Sequence, residues 1–300
     1  MQAIASAYQD TGPAADYYPR FHAAVALAQL NNWLPSSSRL LVDISGPGSR
    51  AAELAAYAGH HVLRVIDAVS PPGDSLPASG ADFRHRGLPP PITPGAPDHP
   101  RRPPSPPAPH SPRGSARENH EQTPSQPAPG GRLATVATDG AGLEFLADGC
   151  ADGVIAEDRA LSLRLAAEDV VAEIARVLRP GGQVLACVDS LMFGMAVLAE
   201  QHRWPHLVDV PNADVVLIPW PDGTITRCYG AEHLRELFTG GGLEVSWIRP
   251  RTVFSPRTVS YLLTRDPGRF GELVNAEMRA HADDSVGTQL IACAVRPLTS

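Results

Sequence analysis

The sequence predicts an α/β chain built on a doubly wound, mostly parallel sheet with helices on both faces. Three observations carry that prediction. Short apolar strands alternate with amphipathic helices along most of the 300 residues, the pattern of a parallel sheet covered on both sides. The first strand ends in an acid and enters a glycine-bearing turn, Asp43-Ile44-Ser45-Gly46-Pro47-Gly48. A turn of that kind is a ligand loop at the carboxyl edge of such a sheet. Finally, Gln183 to Asp189 is a near-continuous apolar run, as a strand buried on both faces requires.

Taken in order, residues 14–34 place Tyr17, Tyr18, Phe21, Ala24, Val25, Leu27, Ala28, Leu30 and Trp33 at helical spacing. Pro35-Ser36-Ser37-Ser38 breaks that helix before a strand over Arg39 to Asp43. Ala51 to Ala58 is a helix, and His61 to Ile66 is a strand that ends on Asp67. Residues 68–132 hold 18 of the 31 prolines and one aromatic residue, Phe83. Such a segment buries too little apolar surface to offset its ordering entropy, so it is expected to be a disordered insertion. A tolerated surface loop is favoured over a proline-rich docking segment, because long loops add little closure entropy.

Regular structure resumes with strands over Leu133 to Thr138 and Gly153 to Glu157. Leu165 to Leu178 is a helix with Val170, Val171, Ile174, Val177 and Leu178 on one stripe. It stops at a Pro180-Gly181-Gly182 turn before the strand from Gln183. Leu191 to Gln201 is helical, and Val215–Pro219 and Thr224–Tyr229 form a hairpin about Trp220-Pro221-Asp222-Gly223. A helix over Ala231 to Phe238, a strand over Leu243 to Arg249, a helix over Arg269 to His281 and a strand over Gln289 to Val295 complete the chain. The domain reading is a helical cap over 1–38, one nucleotide-binding domain over 39–67 and 133–300, the insertion 68–132, and a substrate-side insertion over 191–230.

Composition excludes several chemistries. All 25 basic residues are arginine and none is lysine. With the heavy use of Ala, Gly and Pro, this points to a GC-rich bacterial genome. Without lysine there is no Schiff base and no phosphate-loop lysine. The net charge of −7 and the lack of a basic face argue against nucleic acid as a partner. Cys150, Cys187, Cys228 and Cys293 form no C-x-x-C pair, so they read as small buried hydrophobes in a reducing compartment, with no metal site. The first residues show no basic region followed by an apolar run, and no apolar run reaches about 18 residues. The expected setting is the cytoplasm, without membrane contact.

The carboxyl edge carries the candidate chemistry. Asp43 ends the first strand, and Gly46 and Gly48 let backbone approach a ligand. Asp67, at the end of the second strand, is placed to accept from ribose hydroxyls. Gly46-Pro47-Gly48-Ser49-Arg50-Ala51 also fits the dinucleotide fingerprint G-x-G-x-x-A. An NAD(P)-dependent oxidoreductase is therefore a rival, weakened because a Tyr-x-x-x-Lys pair is impossible without lysine.

Beyond the loop, Asp139-Gly140, Leu143-Glu144-Phe145 and Asp148-Gly149-Cys150-Ala151-Asp152-Gly153-Val154-Ile155 precede Arg176-Val177-Leu178-Arg179-Pro180-Gly181-Gly182-Gln183-Val184-Leu185. Together these stretches resemble the class I S-adenosylmethionine (SAM)-dependent methyltransferases of the small-molecule, type 11-like kind. The last motif resembles the family's RVLRPGG turn most closely. The resemblance covers roughly 40–67 and 133–190. It implies a Rossmann-like, seven-stranded sheet with SAM as cofactor and a small, partly apolar metabolite as substrate. It implies that Asp43, Ser45, Gly46 and Gly48 surround the methionine part, that Asp67 holds the ribose, and that Asp139 and Gly140 meet the adenine. Glu157 and Asp158 would lie beside the sulfonium and substrate. One departure stands out. The family pattern D-x-G-x-G-x-G is one residue shorter here and Ser45 replaces its first glycine, which predicts a side chain where backbone usually passes.

Methyl transfer from a sulfonium needs alignment and desolvation more than covalent help, with a general base where the nucleophile is a hydroxyl. His22, His202, His206 and His233 are the candidate bases, and none is singled out. Met192, Phe193, Met195, Trp204 and Trp220 are expected either to line an apolar substrate cavity or to pack the core of their own insertion. A homodimer is the expected assembly. The alternative function is a non-catalytic structural or regulatory protein on the same scaffold.

Overall fold

The computed structural model describes residues 17–46, 49–67, 130–139, 142–210, 213–280 and 287–298. The proline-rich stretch lies outside the described residues except for 130–132, as do Gly48 and Gly140. Along the described chain the elements are α1 (Tyr17–Trp33), β1 (Leu40–Asp43), α2 (Ala51–Tyr57), β2 (His61–Asp67), β3 (Arg132–Thr138) and β4 (Ala151–Ala156). There follow α3 (Ala167–Val177), β5 (Leu178–Ser190), α4 (Leu191–Glu200), α5 (Trp204–Asp209), β6 (Val215–Pro219) and β7 (Ile225–Tyr229). The chain ends with α6 (Ala231–Gly240), β8 (Glu244–Pro250), α7 (Pro256–Arg265), α8 (Phe270–Arg279) and β9 (Gln289–Val295).

The expected α/β class is the one the chain adopts. Strands β3, β2, β1, β4 and β5 lie side by side in that order and are all parallel. β9 then pairs antiparallel with β5, and β8 antiparallel with β9. The sheet has nine strands rather than seven. The two extra strands are the β6–β7 hairpin, which joins the sheet where Asp189 and Ser190 of β5 pair with Cys228 and Tyr229.

Alternation of side chains explains the two cores. Val42, Val154, Val184 and Ala186 face a layer containing Val171, Ile174, Leu234 and Phe238 of α3 and α6. Their neighbours Leu41, Ile155 and Leu185 face Leu30 of α1 and Ala51, Ala52 and Ala55 of α2. Successive strand residues point to opposite faces, so a strand between two helical layers must be apolar throughout. Helix α3 buries Ala167, Val171, Ile174 and Val177, and it has Glu168 and Asp169 in its first turn and Arg176 in its last. These charges complement the helix dipole.

Some boundaries differ from expectation. The Pro180-Gly181-Gly182 turn lies within β5, where Gly181 takes φ 77° and exchanges hydrogen bonds with Arg296 through Gly181 N–H and Gly182 O (2.8 and 2.9 Å). Pairing with the chain beyond β9 turns a local stop signal into the start of a strand. Helix α7 was not anticipated, although its signal is present. Ser255 caps it by accepting from Thr258 N–H (3.2 Å), and Pro256 opens its first turn. Among the described residues no helix is long and apolar enough to cross a membrane.

Candidate active site

The first loop is shaped by its own side chains. Asp43 is fully enclosed at the end of β1, and its Oδ1 accepts from Ser45 N–H at 3.0 Å. That contact closes a tight turn of the kind aspartate favours. Its Oδ2 lies 3.7 Å from Arg64 Nε and has no hydrogen-bond partner. Burial raises the Asp43 carboxyl above its ordinary range, against the opposing pull of Ser45 and Arg64.

Ser45 does not obstruct the loop. It is 1% exposed, and its Oγ accepts from the Glu157 N–H at 2.8 Å. It is not among the left-handed residues, so the position makes no conformational demand for glycine. The side chain expected to crowd the backbone path is turned into the end of β4 instead. Gly46 stands close to the Asp158 carboxylate. A Cβ there would come within 3.2 Å of Asp158 Oδ2.

The turn that ends β4 is strained. Asp158 and Arg159 are consecutive non-glycine residues at φ 56° and 63°. Each such conformation costs about 1–3 kcal/mol and persists only where its surroundings enforce it. The enforcement is visible. Arg159 Nε pairs with Asp189 Oδ2 at 2.6 Å, both groups enclosed, and the guanidinium lies 5.5 Å from the Phe193 ring centroid. Arg159 also donates to Thr226 Oγ1 of the hairpin at 3.4 Å.

The two acids of this turn are used differently. Glu157, expected beside the cofactor, pairs through Oε2 with Arg251 Nη2 at 2.5 Å. Arg251 is 1% exposed and donates from Nε to Cys187 Sγ at 3.3 Å. Glu157 Oε1 and Arg251 Nη1 are buried without partners. Burial pushes the Cys187 thiol up to about 12, so it stays protonated. Asp158, by contrast, is solvent-accessible. Crowding by protein raises its carboxyl, with Arg159 opposing. It is Asp158, rather than Glu157, that offers an open carboxylate at this strand end.

Helix α1 covers the neighbouring edge. His22 Nε2 lies 2.9 Å from Gln289 Oε1, so Nε2 carries the hydrogen and donates. Gln289 Nε2 donates to Asp189 Oδ1 at 3.4 Å. Tyr18 OH meets Thr252 Oγ1 at 3.1 Å, and Gln29 donates to the Arg251 carbonyl at 3.0 Å. Desolvation and the Arg251 charge lower His22 to about 3, which leaves it neutral and too weak a base to accept a proton. Tyr18 and Phe21 pack with Val259, Leu263 and Leu273 of α7 and α8, with Tyr17 against them.

The other candidate bases lie apart from the first loop. His202 is left-handed (φ 55°) at the end of α4, His206 sits on α5, and His233 stacks on Tyr229 beside Glu236. Phe193 is buried in the core of the hairpin unit, with Met195 and Trp220 against it. Met192 and Trp204 are 47% and 56% exposed. Phe193, Met195 and Trp220 thus pack their own insertion, while Met192 and Trp204 face outward.

Asp67 is half-buried at the end of β2, in register with Thr138, and Asp139 is exposed just beyond β3. The RVLRPGG-like segment supports this side of the edge from a distance. Arg176 donates to the carbonyls of Leu143 (2.9 Å) and Leu146 (2.7 Å) and pairs with Asp148 (2.6 Å), so it anchors the loop that follows Asp139. Asp152 accepts from Leu40 N–H at 2.7 Å and pairs with Arg179 at 2.5 Å. Asp148 thus anchors a turn and Asp152, within β4, anchors strand ends.

Sequence reasoning missed Arg159, Asp189, Arg251 and Gln289 as functional-edge residues. One signal was present. Asp189 is a charge at the end of an otherwise apolar buried strand, and a buried charge requires a partner.

No protein-family model and no curated protein matches the chain. Among solved structures it is similar to a SAM-dependent methyltransferase from Methanosarcina mazei, at 14% identity and TM-score 0.49, over 90% of this chain and 98% of that one. It is also similar to the 1,6-didemethyltoxoflavin-N1-methyltransferase of Burkholderia thailandensis, at 15% identity and TM-score 0.49, over 99% and 86%. A third likeness is to the [4+2]-cyclase SpnF, at 14% identity and TM-score 0.47, over 92% and 82%. At such identities and scores the likeness says nothing of activity.

Proposed function

We propose that the chain is a SAM-dependent methyltransferase that methylates a small, partly apolar metabolite in the bacterial cytoplasm, as a homodimer. The observation that supports it most is the carboxyl edge. Neighbouring parallel strands β3, β2, β1 and β4 lead to Asp139, Asp67, Asp43 and the Glu157-Asp158 pair. Gly46 stands against Asp158 where a side chain would be crowded.

These residues suit the cofactor chemically. SAM presents hydrogen-bond donors along its length, and the edge presents acceptors. Asp67 would accept from the ribose hydroxyls and Asp139 from the adenine amino group. The backbone at Gly46 allows close approach, while Asp43 and Ser45 hold its shape. When bound, SAM supplies an already electrophilic methyl group. The protein's part is then alignment and exclusion of water. With His22 held neutral, Asp158 is the accessible carboxylate able to orient or deprotonate a nucleophile bearing O–H or N–H.

Calorimetric titration with SAM and with NAD(H) tests this reading. Micromolar SAM binding supports it, and NAD(H) binding in its place would overturn it. A second reading, a non-catalytic protein on this scaffold, is favoured by one observation. The Glu157 carboxylate is already taken by the enclosed Arg251. Binding of neither nucleotide would favour that reading.

A further inference from the structure

Ser45 stands where the resembled family carries glycine, and its hydroxyl is turned inward. It accepts from the Glu157 main-chain N–H at 2.8 Å. Its own N–H returns to Asp43 Oδ1 at 3.0 Å. One residue earlier, Ile44 N–H donates to the Ile155 carbonyl of β4 at 2.9 Å. The β1–β4 ladder is therefore extended beyond Asp43, and a side chain supplies its last rung. Immediately past that rung lie the two left-handed residues Asp158 and Arg159 on one strand and Gly46 on the other. Asp158 Oδ2 lies 3.2 Å from where a Cβ on Gly46 would be.

We propose that Ser45 is a positioning residue whose hydroxyl latches the first loop to the turn ending β4 and so sets the gap between Gly46 and Asp158. This rests on the methyltransferase reading for its consequence in binding, and not for the latch itself. Glycine at this position would leave the Glu157 N–H unpaired at a buried site and free the loop from the turn. Ser45 is 1% exposed, so its side chain acts through its neighbours rather than on a ligand. A loop held this way is pre-organised, and loss of pre-organisation weakens binding without removing any contact.

The test uses the full chain with Ser45→Ala, Ser45→Gly and Ser45→Thr. Calorimetry is run with SAM and with S-adenosylhomocysteine, and amide hydrogen exchange is followed at Glu157. Alanine and glycine should weaken both nucleosides by a similar factor of about 10, since the effect is one of geometry rather than charge. Threonine keeps the hydroxyl and should restore affinity to within about threefold. Glu157 amide exchange should accelerate at least about tenfold with alanine and glycine, and not with threonine. Unchanged or tighter binding by the glycine variant overturns the proposal, as does equal weakening by threonine and alanine. Should the native chain bind neither nucleoside, the methyltransferase reading fails on its own. The latch is then decided by Glu157 exchange, where an unchanged rate in the alanine and glycine variants overturns it.

Discussion

The two sides of the carboxyl edge carry similar residues in opposite states. On the β1–β2–β3 side, Asp67 and Asp139 sit at the rim, half-buried and exposed. On the β4–β5 side, Glu157 and Asp189 end neighbouring strands in the same sense, but each is enclosed and paired with an arginine. Strand-end acids are therefore not one class of residue. Helix α2 packs on β2, whereas His22 of α1 reaches Gln289 of β9 and Thr226 of the hairpin reaches Arg159 just beyond β4. Asp67 and Asp139 lie where solvent reaches them, whereas Asp43 at the end of β1 is enclosed beside Arg64. Acids on the closed side hold the strained turn that displays Asp158.

The largest test of this contrast is on the closed side. Arg251→Met strands the Glu157 carboxylate in the interior and should lower stability by about 3–5 kcal/mol, read by urea denaturation. Replacing both partners, Arg251→Met with Glu157→Leu, should recover most of that loss. A double variant as unstable as the single would show that the pair is not the source.

The next effect is one of pH. The unfolded His22 ring takes a proton near 6.5 and the folded ring only near about 3. Between those values the unfolded chain binds the extra proton. Acidification from pH 6 should therefore destabilise the fold by about 1.4 kcal/mol per unit on account of this residue. The raised carboxyls of Asp43, Asp158 and Asp189 act in the opposite sense. The measurement is thus the difference in slope between the native chain and His22→Asn. Parallel pH profiles would contradict a buried neutral histidine.

On the open side stability should barely move while affinity does. Asp67→Ala should weaken SAM binding about tenfold or more, near 1.4 kcal/mol, with an unchanged melting temperature. Unaltered affinity would remove the ribose role. Asp158→Asn gives the smallest effect, about threefold in affinity, or about 0.7 kcal/mol. A large fall in stability there would mean that its carboxylate is structural after all.

Much of the architecture was legible in the sequence because periodicity and strand-end punctuation are local. Gln289 to Val295 was placed to the residue, and the other strands to within two residues at either end, save that β5 begins at Leu178 rather than Gln183. Local patterns do not carry side-chain partnerships between distant segments. Glu157 and Arg251 are 94 residues apart in the chain, and nothing near Glu157 announces that it will be enclosed. Ser45 was read as an intrusion for the same reason. Its partner, the Glu157 main-chain N–H, is 112 residues away. Of the two roles open to the apolar residues of the 191–230 insertion, packing is the one seen for Phe193, Met195 and Trp220, because apolar spacing alone does not say which surface a side chain will meet.

The hairpin meets the sheet through only two ladder positions of β5, Asp189 and Ser190. It has its own core of Phe193, Val197, Leu198, Val210, Ile218 and Cys228. Such a unit resembles a cartridge, with a core of its own beside the strands β1 to β4. Arg227 ties the hairpin to Ser162 and Glu168 as well. Phe193 and Thr226 both touch Arg159, the residue that keeps the β4 turn in its left-handed form. A replacement cartridge must still present an aromatic face and a hydroxyl to that arginine.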